Sequence, residues 1–112
     1  MSTGWRHLAD AVMGNVAAPV GAVVVEEWGD ALTPQAFRLF YGPTHTVELE
    51  HGQTVEVITR GAQSANGGIE ESGILVYGGS DDAMPPDAAR KLAAALIAAA
   101  DEVDRFAGTE SA

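Results

Sequence analysis

Residues 84–108 leave the fold the least freedom. The run Met84-Pro-Pro-Asp-Ala-Ala-Arg-Lys-Leu-Ala-Ala-Ala-Leu-Ile-Ala-Ala-Ala-Asp-Glu-Val-Asp-Arg-Phe-Ala-Gly108 predicts one long amphipathic helix. Pro85 and Pro86 suit a first turn, where the N–H is spare and φ is already set. Asp81, Asp82 and Asp87 lie at or before that turn, the end of the helix dipole that favours negative charge. Leu92, Ala93, Leu96, Ala99, Ala100, Val103 and Phe106, with Ala89 ahead of them, recur every three or four residues and make one apolar stripe. Asp87 with Lys91 and Asp101 with Arg105 form i,i+4 pairs on the other side. Gly108 fits the C′ position that ends a helix. About 22 residues at 1.5 Å each give a rod of roughly 33 Å. Charges at both ends and alanine in the middle exclude a membrane span. The stripe therefore has to lie on another layer of the same fold.

The rest of the chain supplies that layer. Trp5, Leu8, Ala9, Val12, Met13 and Val16 repeat at helical spacing, with Ser2 or Thr3 as cap and Gly14-Asn15 as stop. Beyond Pro19, Val20 to Trp28 is β-branched and predicts a central strand. Gly29-Asp30 is a turn. Thr33-Pro34-Gln35 has the look of a helix cap, yet Phe37, Leu39 and Tyr41 alternate; a short turn and then a strand is the favoured reading of 34–41, with helix as the alternative. Gly42-Pro43 is expected to end that strand. Val47-Glu48-Leu49-Glu50 and Thr54-Val55-Glu56-Val57 alternate around a His51-Gly52 hairpin. A strand to about Gln63, an Asn66-Gly67-Gly68 hairpin and a return over Ile69 to Tyr77 follow, with a bulge expected at Gly73. The sum is an α+β fold: a short N-terminal helix, an antiparallel meander of four or five strands, and the long helix on one sheet face. Residues 1–112 read as a single domain, with an ordered core of about 4–107 and a tail of 108–112.

Composition narrows the function. At 112 residues the chain can bury a modest core without staples. It has no cysteine, hence no disulfide or thiol chemistry. The net charge of −10 is spread over the fold: eight acids against Arg38 and Arg60 in residues 20–77, seven against Arg90, Lys91 and Arg105 in residues 81–112. Such a surface repels phosphates, so neither nucleic acid nor an anionic membrane is an expected partner. Residues 11–25 carry no charge, but Asp10, Asn15 and Pro19 interrupt a leader pattern and no cleavage site stands out; a cytoplasmic protein is the expectation.

No catalytic motif emerges. His45 and His51 are expected on one strand face with Val47 and Leu49 between them, but further zinc ligands at recognisable spacing are lacking, so no metal is expected. In Glu26-Glu27 and Glu70-Glu71 neighbouring carboxylates point to opposite faces, which suits solvated strand edges better than an acid–base dyad. Gly78-Gly79-Ser80 precedes a helix, yet Asp81, Asp82 and two prolines make it a poor phosphate cradle. Nucleophile-elbow, Walker and zinc-deaminase patterns are absent. The expectation is a protein without a cofactor and without enzymatic activity.

Two surfaces draw notice instead. Trp28, Phe37, Phe40 and Tyr41 are four of the seven aromatics, and Arg38 stands among them, a composition typical of interface hot spots; the competing reading is that the rings fill the core. Ala94, Ala95 and Ala98 lie off the main stripe, where Lys or Glu is usual. They make either a smooth face for a partner or simply good helix formers.

The segment Ala88 to Arg105 after a Gly-Gly-Ser-Asp-Asp turn, together with the Gly61-Ala-Gln-Ser-Ala-Asn-Gly-Gly-Ile-Glu hairpin, resembles the C-terminal part of small uncharacterised proteins of high-GC actinobacteria, mycobacteria especially, and of their phages. The likeness covers about the last 45 residues and is as much compositional as motif-based. It implies a strand–helix unit and brings no catalytic residues. The leading expectation is thus an accessory protein that binds another protein, of the host or a second copy of itself, as a homodimer through the aromatic segment or the alanine face. The alternatives are a small-ligand module or enzyme, with a pocket between sheet and helix lined by Arg38, Tyr41, His45 and His51, and an acidic mimic of nucleic acid.

Overall fold

A computed structural model describes residues 16–111, with side chains placed through Phe106. The fold is α+β. Four antiparallel strands, β1 (Val24–Val25), β2 (Phe37–Glu48), β3 (Thr54–Ser64) and β4 (Ile69–Gly78), stand in the order β1-β2-β3-β4, and one helix, α1 (Pro86–Ser111), follows. The expected N-terminal helix lies outside the described residues.

Both hairpins form where the glycine-containing turns predict them. His51 (φ 60°) and Gly52 (φ 76°) take left-handed conformations between β2 and β3. Between β3 and β4, Gly67 does so at φ 92°, and the Asn66 side-chain carbonyl accepts from the Ser64 hydroxyl at 2.5 Å and the Gly68 amide at 2.9 Å. The 34–41 segment is a turn followed by strand. Thr33 Oγ1 donates to the Asp30 carbonyl at 2.6 Å, the Ala36 amide bonds the Thr33 carbonyl, and β2 starts at Phe37.

Three strand expectations need correction. Val20 to Trp28 is not a central strand: only Val24–Val25 pair, opposite Tyr41 and Phe40, at the sheet edge. Gly21 (φ 89°) turns the chain before them, and Val23 and Val24 stay exposed. Gly42-Pro43 does not end a strand. β2 runs through it with a register shift between Tyr41 and Thr44, since a bulge is where a proline without an N–H is tolerated. The other bulge sits at Glu70, where Ala62 pairs with Glu71 and Gln63 with Ile69, while Gly73 pairs in regular register with Arg60.

The register sorts the side chains. Phe40, His45 and Val47 on β2 stand opposite Gly61, Val57 and Val55 on β3, and these face α1. Leu39, Tyr41, Ile58, Arg60, Leu75 and Tyr77 belong to the other face. Val47 and Val57 pack with Ala95 and Ala99 of the helix. Further along, Phe40 meets Phe106 edge to face, centroids 4.8 Å apart at 87°, a geometry that stabilises by about 1 kcal/mol beyond area burial. Gly61 permits that contact, because a Cβ there would run into the Phe40 ring and the Glu71 carbonyl.

The helix buries part of the expected stripe, with Ala99 and Phe106 in the core and Leu92 and Leu96 packed on it, but is turned away from the rest. Ala88, Ala95, Ala99, Glu102 and Phe106 are buried, whereas Ala89, Ala93 and Ala100 face solvent. The charge of Glu102 made the inner face read as polar, which displaced the apparent stripe around the helix. The helix also continues past Gly108 to Ser111, so Gly108 does not end it as a C′ glycine. Among the described residues no helix is long and apolar enough to cross a membrane.

Candidate functional site

The inner seam holds one polar knot. β2 delivers His45, β3 delivers Thr59 and α1 delivers Glu102, which is 7% exposed. His45 Nε2 lies 2.6 Å from Glu102 Oε2, and Thr59 Oγ1 donates to Glu102 Oε1 at 3.2 Å. Gly42 makes room for the knot: a side chain there would strike Thr59 Oγ1. Desolvating a carboxylate is expensive unless donors replace water, and these two do so. The order of the groups matters chemically. The threonine hydroxyl and the imidazole each bond a different oxygen of the acid, so the three groups are not ordered as a hydroxyl–histidine–acid relay. The knot fastens helix to sheet. His45 also lines an open groove of about 710 Å³ beside Lys91, Ala94 and Ala98.

A second polar cluster holds the chain entering the sheet. Arg38 Nε donates to Gln63 Oε1 at 2.8 Å, and its Nη2 to the Val16 carbonyl at 3.0 Å. Gln63 Nε2 donates to the carbonyls of Ala17 (2.9 Å) and Gly67 (3.2 Å). The guanidinium carbon sits 4.5 Å from the Trp28 ring centre, and burial lowers the arginine's pKa. Trp28 in turn packs on Ala31 and Ala36.

The outer sheet face has a different character. Among the described residues no layer covers it, yet it presents Phe37, Leu39, Tyr41, Ile58, Leu75 and Tyr77. A shallow basin of about 490 Å³ opens there, bordered by Leu39, Arg60, Ala62, Glu71, Gly73 and Leu75. Burial pushes the Tyr41 hydroxyl pKa up, and a hydrogen bond to Glu26 adds to the rise.

The residues expected to interact therefore separate. Phe37 and Tyr41 lie on the outer face. Phe40 is core and Ala95 is buried against the sheet, while Trp28 and Arg38, both half-buried, serve the clamp. Ala94 is exposed and Ala98 half-buried beside β2, and Ala93, Ile97 and Ala100 are exposed as well. The proposed pocket residues do not converge. Arg38 and His45 face the helix side, Tyr41 faces the other, and His51 sits exposed in the hairpin turn, away from the strand face expected for it. Among the described residues no group of three His, Asp or Glu side chains could hold a metal ion, and every buried side-chain N or O has a partner. Sequence reasoning missed Glu102; its one signal was an acid at the helical spacing of Ala88, Ala95, Ala99 and Phe106. No protein-family model, curated protein or solved structure matches this chain.

Proposed function

We propose that this chain is a non-enzymatic accessory protein that works by docking another protein onto the outer face of its sheet. The supporting observation is a two-layer fold with one face bare: α1 lies on one side, while Phe37, Leu39, Tyr41, Ile58, Leu75 and Tyr77 line the other among the described residues. Aromatic and aliphatic side chains around a basin, rimmed by Arg60 and Glu71, have the composition of an interface centre with a polar border. The polar clusters support the same reading indirectly. Their hydrogen bonds are satisfied within the protein among the described residues, which suits groups that hold the fold together. The test is affinity capture by the tagged protein and by Ile58→Lys and Leu39→Lys, both on the outer face. Loss of the captured protein from both variants, at unchanged circular dichroism, supports the proposal; undiminished capture by both contradicts it.

A further inference from the structure

Among the described residues β4 is an edge strand, and it carries apolar side chains on both faces. Ile74 and Val76 lie on the helix-bearing face yet are 37% and 54% exposed, while Tyr77 on the opposite face is 52% exposed. A strand apolar on both faces leaves an apolar edge to water when no strand lies beside it. Edge strands are ordinarily blunted by lysine, proline or a mid-strand bulge. From Ser72 to Gly78 β4 has no charge and no proline, and its only bulge lies at Glu70, at the far end.

We infer that β4 pairs antiparallel with β4 of a second copy, making one continuous eight-stranded sheet with both helices on the same side. Side-chain fit selects a second copy as the occupant, and charge selects the antiparallel direction. At net charge −10, a parallel pairing would set Glu70 and Glu71 beside their own copies. A two-fold axis at Leu75 carries both acids beyond the paired stretch. Opposed residues must share a face, and this register meets that demand throughout: Leu75 faces Leu75 of the second copy, Ile74 faces Val76, and Tyr77 faces Gly73. An aromatic ring over a cross-strand glycine and a β-branched pair are favourable neighbours. Nothing within 4 Å occupies the position of a Cβ at Gly73, so the ring has space. One such strand pair covers on the order of 1,000 Å² over both copies, the lower end for specific interfaces. The inference does not depend on the outer face binding anything, and Ile58→Lys leaves this edge intact.

The chain has no cysteine, so a single introduced thiol reports the register directly. Light scattering of the full chain between about 1 and 200 µM is expected to show monomer passing to dimer, with Val76→Lys remaining monomeric and Ile97→Lys, at an exposed helix position, dimerising like the parent. Mild oxidation of Leu75→Cys is expected to give a disulfide-linked dimer, since directly opposed strand residues have Cα atoms within disulfide reach; Ile97→Cys should stay monomeric. A monomer across the whole range overturns the inference, as does a dimer that survives Val76→Lys or that Leu75→Cys fails to cross-link. Should Val76→Lys fold poorly, the thiol pair alone decides.

Discussion

A carboxylate inside a helix–sheet seam needs donors in place of water, and Glu102 takes them from His45 and Thr59. Removing it leaves the histidine and threonine without their acceptor in the seam, so Glu102→Ala should lower stability by about 2–3 kcal/mol in urea unfolding, with Glu102→Gln milder because an amide still accepts. If the alanine variant is as stable as the parent, the knot does not fasten the helix. Two glycines separate space from conformation. Gly61→Ala, facing the Phe40 ring, should be destabilising by about 1–3 kcal/mol, while Gly73→Ala should change little, because its Cβ meets nothing. The Tyr41 hydroxyl, raised by burial and by Glu26, predicts a pH effect of definite sign. The unfolded chain loses that proton first, so its contribution is whole below about pH 10, the ordinary tyrosine value, and falls as pH rises through the folded value. Tyr41→Phe should flatten that alkaline limb; an unchanged limb would exclude Tyr41 as its source.

Elements were legible in the sequence where local chemistry decides them, and illegible where pairing partners do. The helix, both glycine hairpins and the β2–β3–β4 meander follow from periodicity and turn residues. Gly42-Pro43 reads as a stop but acts as a bulge, because β3 opposite supplies pairing on both sides of it. Val20 to Trp28 reads as a central strand, though valine content cannot say how many neighbours a strand has. The helix's orientation failed for a more instructive reason: a buried acid counts as polar until its donors, 57 and 43 residues away in sequence, are known. The corrected orientation is testable. Ala99→Leu, at a fully buried position, should be destabilising by about 1–3 kcal/mol through overpacking. Ala93→Leu, at an exposed one, should stay within about 0.5 kcal/mol. Destabilisation by Ala93→Leu as large as that by Ala99→Leu would restore the wider stripe expected from the sequence.

As a whole the molecule is a thin plate with extents of 52 × 34 × 17 Å, a dimension that fits one sheet backed by one helix. Its candidate site was only partly legible: Phe37 and Tyr41 were singled out from sequence, but Ile58, Leu75 and Tyr77 join them through strand register alone. Among the described residues this apolar sheet face lies uncovered, and exposed apolar patches mark interaction surfaces. The central claim is that another protein covers this face. It is tested most directly by a photo-reactive amino acid placed singly at Leu39, Ile58 or Ile97 in the expressing cell. Covalent adducts to another polypeptide are expected from Leu39 and Ile58 and not from Ile97, although Ile97 is 65% exposed. Adducts from Ile97 alone, with Leu39 and Ile58 silent, would contradict the account.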